Sequence, residues 1–551
     1  MQQAKKESFM QGVLALMFSQ VLIKLLGLIY KLYLTNKEGF GDSGNAIYSS
    51  GFQIYALLLT LSSIGVPNAI SKLVSERTAL GDIKGAKRVF KAAFATFTII
   101  GLAGTFILFF GAKYISTVLL QIPEAELTLI ALSPSIFFVS ISSVLRGYFN
   151  GRENMRTTAR SQTLEQVFKS LLTVILVEIV FIITTQNTTI MAAGANLATT
   201  FATFLSFAYL FQYYKKVDER QDLVIMQEHP STVEISHEKI TTIIKKILFV
   251  SIPISLSAVM STLNKNIDSI TVVRSLKNFM SEATAKVQYG ILSGKVDTLT
   301  TLPLSFNIAF ATALVPAIAA AIAKKDTQTI TKRISFSLMI TMLIGLPCSV
   351  GMCIFAEPIL QLLFPNAMEG TLVLQISSFT ILFTVLTQTV NGALQGIGKV
   401  MMPSIALGVG ITAKILLNLI LVPISSIGVN GAAFASILCY MISFLIGFSV
   451  LKKNIKLDFT FMKFVVKPIL ATAIMAGSSY FIYTVLNNGI LDSKKIVTII
   501  SIIFAVIVYG ISLSFLKVFN KEEMSMIPNG KRIYKILERL GIYAKHEALQ
   551  R

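Results

Sequence analysis

The chain has 551 residues, of which 54% are hydrophobic and 14% charged, and a net charge of +21. Soluble globular chains carry about 25% charged residues, so this composition excludes an ordinary soluble domain. The apolar runs do not alternate as β-barrel strands would, and no "GxxxxGK[ST]" loop is present for ATP hydrolysis.

The sequence predicts an all-α polytopic membrane protein of about fourteen transmembrane helices. Spans fall near 9–34, 47–71, 89–112, 127–149, 161–184, 189–213, 246–274, 296–323, 333–356, 371–395, 401–423, 429–451, 464–486 and 496–516. The first follows Lys5 and Lys6, exceeds a signal-peptide core in length, and reads as a retained helix. It carries "LIKLLGLIYKLYL" (22–34), in which Lys24, Gly27 and Lys31 share one face with Gln20, which precedes it. Lys24 lies about 20 Å along the helix. Lys31, nearer the outer end, either faces an interior cavity or snorkels to the interface.

The fifth span carries Glu165 and Lys169 at i,i+4, a favourable ion-pair orientation, and an isolated Glu178. Residues 214–245 read as a polar cytoplasmic loop dividing the chain. The seventh span, "STLNKNIDSITVVRS" (261–275), aligns Asn264, Asp268, Thr271 and Ser275 on one stripe, places Lys265 three residues before Asp268, and ends near Arg274. Lys295 and Asp297 mark the outer start of the eighth span and are candidates to close a cavity mouth. Lys414 in the eleventh span has no local acidic partner. Lys169 and Lys414 read first as structural and second as substrate contacts. After Pro528, Ile533, Ile536, Leu537 and Leu540 form the apolar stripe of a basic tail helix, on the inner membrane surface or packed on the protein.

With the N-terminus inside, the outer loops hold only Lys37, Lys113, Lys277, Lys286, Lys295, Lys494 and Lys495 of the 49 basic residues. This positive-inside bias accounts for the charge without a nucleic-acid partner. Cys348, Cys353 and Cys439 fall within spans and read as small apolar fillers. No Cys/His cluster has metal spacing, so no metal or cofactor is expected.

The two halves resemble each other. "KSLLTVILV" (169–177) matches "KILLNLILV" (414–422) at six of nine positions, and the same offset aligns Lys87-Arg88 with Lys332-Arg333. Parallel six-span repeats imply two lobes related by a pseudo-two-fold along the membrane normal. The expected domains are an N-lobe (1–213), the linker (214–245), a C-lobe (246–451), two extra helices (452–518) and the tail (519–551).

Two motifs, "RGYFNGRENMRTTARSQTLEQ" (146–166) and "YGILSGKVDTLTTLPLSFNIAFATALVPAIA" (289–319), resemble the polysaccharide-exporter branch of the multidrug/oligosaccharidyl-lipid/polysaccharide superfamily. Within it, the chain is similar to the MurJ-type lipid II flippases and the stage V sporulation protein B group, although Thr157 stands where the pattern has proline. The resemblance implies a central cationic cavity and a groove for a polyprenyl tail on helices 13 and 14. It also implies basic residues on the first helix of each lobe, which by position are Lys24, Lys31 and Arg274. The basic residues it implies on the second helix have no counterpart here.

The expected function is inward-to-outward flipping of a polyprenyl-diphosphate-linked sugar, foremost lipid II, by alternating access in a bacterial plasma membrane, with both termini cytoplasmic. Lysine and arginine suit a diphosphate. Substrate-binding candidates are Lys24, Lys31, Arg274, Lys265, Asp268, Asn264 and Gln20. Glu165, Lys169, Glu178, Lys295, Asp297 and Lys414 are gate or coupling candidates. The driving force is membrane potential, Na+ or H+. Expected partners are the lipid-linked oligosaccharide, membrane lipids and cell-wall synthesis proteins, with a monomer as the working form. Alternatives are another lipid-linked polysaccharide (teichoic, capsular or spore-related) and a cation-coupled drug antiporter. No paired carboxylates suggest an enzyme.

Overall fold

The computed structural model describes residues 9–63, 65–79, 82–152, 154–184, 186–228, 238–304, 307, 318, 326–455, 457, 460–488, 493–520, 523–524, 534 and 538–539. Its helices are α1 (Phe9–Asn36), α2 (Gly41–Ser63), α3 (Gly65–Ala79), α4 (Ile83–Tyr114), α5 (Ala125–Gly151), α6 (Met155–Ile183), α7 (Thr188–Glu228), α8 (Ile240–Leu276), α9 (Glu282–Gly290) and α10 (Asp297–Thr301). They continue as α11 (Thr327–Ile354), α12 (Ala356–Leu363), α13 (Thr371–Gly396), α14 (Met402–Leu421), α15 (Val429–Asn454), α16 (Lys467–Asn487) and α17 (Lys494–Phe515). The described residues form no strand.

Among the described residues, eleven helical runs are long and apolar enough to cross a membrane, and α1 and α8 are further long helices. The expected second span is longer than predicted, running through α2 and α3. Most of the expected eighth span and of the basic tail helix lies outside the described residues. The expected linker loop is corrected in its first part: α7 continues as helix to Glu228. "KKVDERQDLVIMQE" (215–228) contains neither Gly nor Pro, so polarity there marks departure from lipid, not an end of helix. His229-Pro230 comes next in the sequence, and a proline disfavours continuation.

Short polar side chains set several helix starts. Asp82 accepts from the Gly85 amide at 2.7 Å and opens α4. Asp326 accepts from the Thr329 amide at 3.0 Å and its hydroxyl at 2.6 Å, opening α11; these bonds hold the Asp326 carboxyl below its ordinary range. The two caps occupy near-equivalent places in the sequence repeat. At α6, Asn154 accepts from the Thr157 hydroxyl at 2.8 Å. A threonine in place of proline at 157 therefore supplies an extra bond to the cap.

Among the described residues, three π-helical turns interrupt this regularity, at Ile115–Leu119, Ile291–Val296 and Met462–Val466. The second joins α9 to α10.

By internal contacts the chain divides into two compact units. One comprises Met1–Leu299 with Leu407–Ala435; the other comprises Thr300–Ala406 with Ser436–Arg551. The first has a core of Val66, Ile70, Phe90, Phe97, Val144 and Leu210, contributed by α3, α4, α5 and α7. The second is centred on Ile334, Leu338, Val390, Leu394, Leu451 and Phe464. Inside it the Asn307 side chain donates to the Val385 carbonyl at 3.0 Å, and the Thr341 hydroxyl donates to Asn307 at 3.0 Å.

Within the first unit α2 and α3 pack closely on α8, α9 and the π turn. A Cβ on Gly290 would overlap the Asp42 carbonyl oxygen, and one on Gly65 would overlap Ser255 Oγ. Only glycine permits these approaches. Near the α3 end, Arg77 bonds Asp82 at 3.3 Å and also Glu238, which pairs with Lys246. Lys246, and then Arg77, hold the Glu238 carboxyl below its usual range.

Candidate functional site

All the charged substrate, gate and coupling candidates belong to the first unit, and they separate into two groups. On the α8 side every lysine has an acid. Lys414 of α14 is buried; its ammonium donates to Asp268 Oδ2 at 2.6 Å and to the Asn264 carbonyl at 2.9 Å. Asn418, one turn further on, donates to Asp268 Oδ1 at 3.1 Å and to Thr271 Oγ1 at 2.9 Å. Lys265 donates to both oxygens of Asp297, at 2.8 and 3.0 Å.

The local Lys265–Asp268 pair expected from spacing is therefore replaced by two tertiary pairs. Asp268 turns to α14, and α10 delivers Asp297 to Lys265. Lys414, without a local partner in sequence, has a more buried ion pair than Lys265. Arg274, in the last turn of α8, is exposed. Lys295 is fully buried and pairs with Asp42 at 2.8 Å; it seals α2 against the π turn.

The α1 side differs. Lys24 is exposed and makes no hydrogen bond or ion pair among the described residues. Lys31 turns to α2: its ammonium donates to Ser49 Oγ at 3.2 Å and lies 4.6 Å from the Tyr48 ring centroid. Lys169 of α6 is buried with its ammonium 4.1 Å from the Phe52 ring centroid and 5.5 Å from that of Tyr30. The Glu165–Lys169 pair expected from i,i+4 spacing does not form, because Glu165 accepts from Arg146 of α5 at 2.7 Å. Glu178 is not alone: Lys37 donates to it at 2.7 Å and Tyr33 at 2.5 Å. The Gln20 side chain lies outside the described residues.

Asp297 is the acid in electrostatic range of both Lys24 and Lys31. Lys31 in turn feels Lys169 and Lys265. The lysines at 24, 31, 169, 265 and 414 thus stand against the aspartates at 268 and 297, and the cluster is net positive. Sequence reasoning missed Tyr30, Tyr48 and Phe52, whose rings receive the ammonium groups. It also missed Asn418, Arg146 and Asp42. Asn418 alone had a local signal, standing one turn after Lys414.

Long apolar helices enclosing a net-positive cluster define a multi-pass membrane protein of the transporter kind. Residues 9–322 match the family described as polysaccharide biosynthesis protein, and residues 292–420 match MatE. The chain belongs to the polysaccharide biosynthesis protein family, within the multidrug/oligosaccharidyl-lipid/polysaccharide flippase superfamily.

Among curated relatives it is 28% identical to stage V sporulation protein B of Bacillus subtilis (strain 168), over 78% of this chain and 81% of that one. It is 26% identical to the membrane protein YabM of the same strain, over 97% and 98%, and 24% identical to its lipid II flippase MurJ, over 81% and 82%. The fold is that of a solved lipid II flippase MurJ in an inward closed conformation, with TM-score 0.66, 15% identity, and 92% and 98% of the two chains covered. An inward-facing multidrug transporter of the MATE family has TM-score 0.62 and 18% identity, over 79% and 96%. In this company the chain is a transport protein rather than an enzyme.

Proposed function

We propose that the protein flips a polyprenyl-diphosphate-linked saccharide, foremost lipid II, from the inner to the outer leaflet. The observation that carries this reading is the net-positive cluster on α1, α6, α8 and α14, inside helices long enough to span lipid. Charges within lipid are costly, so an excess of lysine there calls for an anionic cargo. A diphosphate supplies that anion, and lysine meets it as a point charge. The two sequence repeats act as lobes that expose the cluster alternately to each side. Membrane potential drives the step, at about 2.3 kcal/mol per charge per 100 mV, with Na+ or H+ as alternative coupling ions. The working form is a monomer in the plasma membrane, with cytoplasmic termini and cell-wall synthesis proteins as neighbours.

The test is complementation of a strain depleted of its lipid II flippase, read by labelling outer-leaflet lipid II. Restored labelling is expected. Lys24→Ala and Arg274→Ala are expected to lower it, and full labelling with both variants would remove those residues from the substrate path. Failure of the wild-type chain to restore labelling would reject lipid II as cargo.

A second reading, transport of another lipid-linked polysaccharide, is favoured by the similarity to stage V sporulation protein B and YabM. The MatE match raises a cation-coupled drug antiporter, but the positive cluster repels a cationic cargo.

A further inference from the structure

We infer that two ion pairs, Arg77–Glu238 at one end of α8 and Lys286–Glu124 at the other, are latches that join the two sequence repeats and release in turn during transport. This goes beyond the flippase reading but rests on its alternating access, whatever the cargo. Each latch is a cation shared between an acid across the seam and an acid on its own side. Arg77, in the last turn of α3, bonds Glu238, 161 residues away and just before α8, through Nη2. Its Nη1 donates to Asp82, at the start of α4, at 3.3 Å. Glu238 also holds Lys246, about two turns into α8. Parting α3 from α8 therefore breaks one pair and leaves two: Arg77 keeps Asp82, and Glu238 keeps Lys246.

The other end repeats the design with the two sides exchanged, because here the second repeat supplies the cation. Lys286 of α9 donates to both oxygens of Glu124, 162 residues away and just before α5, at 2.6 Å. It also pairs with Glu282, one turn earlier on α9, at 2.8 Å, and Glu282 holds Lys277 at 2.8 Å. When Glu124 leaves, Lys286 keeps Glu282, and water reaches Glu124, which is 37% exposed. The 37 residues of α8 put the latches about 55 Å apart, at about 1.5 Å per residue. Between them the Thr60 and Thr262 hydroxyls of α2 and α8 lie 2.9 Å apart, so this seam is held at both ends and between. Opening a pair such as Lys414–Asp268 would strand a buried charge. A cation with a second acid in reach changes partner and stays neutralised, so held and released states differ little in energy. A contact that must break and reform in every cycle needs that property.

The experiment uses the full chain in lipid nanodiscs, with its three cysteines replaced by alanine and spin labels at exposed positions. One label pair is Ser75→Cys with Thr241→Cys, and the other is Leu127→Cys with Ala283→Cys; distances are read by double electron–electron resonance. Glu238→Gln is expected to raise the separated fraction about five-fold at the first pair, and Glu124→Gln to do so at the second. Asp82→Asn, which keeps an α4 cap, and Glu282→Gln are expected to lower it at their own ends. Each leaves the cation to the acid across the seam alone.

Unchanged distances in Glu238→Gln and Glu124→Gln would overturn the latches. So would separation rather than closure in Asp82→Asn and Glu282→Gln, the result for pairs that only stabilise the fold. If the distances respond as expected but the chain does not restore outer-leaflet lipid II, the latches stand and the lipid II assignment falls. If labelling is restored and the distances do not respond, the latches fall and the flippase reading stands.

Discussion

The two halves of the charged cluster solve one problem in opposite ways. Beside α8 two lysines are matched with aspartates, Lys414 with Asp268 and Lys265 with Asp297. Along α1 and α6, Lys31 and Lys169 rest on aromatic faces and a serine hydroxyl. A matched pair needs nothing from outside. On the α1 side no carboxylate pairs with either ammonium among the described residues. Burial of a lysine therefore does not by itself separate structural from substrate-binding roles; its partner does.

The strongest way to break this contrast is to remove one member of the matched side. Lys414→Met leaves Asp268 inside the protein without its ammonium and is expected to cost about 3–5 kcal/mol in unfolding. Lys31→Met, lacking only a ring contact and one hydroxyl bond, is expected to cost about 1 kcal/mol or less while transport falls. Equal destabilisation by the two would erase the distinction.

Next is Gly290→Ala, which places a methyl against the Asp42 backbone and presses α9 away from α2. A loss of about 1–3 kcal/mol is expected, with weakened protection of the neighbouring amides in hydrogen exchange. Asp297→Asn is milder, because its pair with Lys265 is about one-third exposed on each side. Its stability change is expected under about 1 kcal/mol, while diphosphate binding strengthens because the cluster loses an anion.

The smallest effect concerns Glu282, in the short helix α9. Bonds from Lys277 and then Lys286 hold its carboxyl down to about 2, from an ordinary 4.5. A depressed carboxyl stabilises the folded form above about pH 4.5, and that contribution fades as pH falls towards 2. Melting of wild type and Glu282→Gln should differ slightly at pH 7 and converge near pH 2. A gap that widened in acid would contradict the sign.

Hydropathy made the helices legible, because each span must satisfy its own backbone within lipid. Polar spacing made the α8 stripe legible for the same local reason. The partners were not legible. Lys295 and Asp42 are 253 residues apart, and Lys414 and Asp268 are 146 apart, so only the packing of distant helices joins them. Local spacing proposed Lys265–Asp268 and Glu165–Lys169, and in both cases a carboxylate took a tertiary partner instead. The aromatic receivers were hidden differently. Phe52 and Tyr30 sit in apolar runs, where a lining residue and a lipid-facing one look alike. The continuation of α7 was missed because polarity was read as loop, although its residues favour helix.

The π turn at Ile291–Val296 has an evolutionary implication. Such a turn is an α-helical turn with one residue added, and an added residue rotates the remainder of the helix by about 100°. Asp297 begins immediately after it, so its direction towards Lys265 depends on that single residue. In a homologue lacking it, the carboxylate at the aligned column would face elsewhere and a different acid, or none, would meet the lysine. Alignments across this family should therefore admit a one-residue gap here before any change in charge pattern is read as a change in cargo.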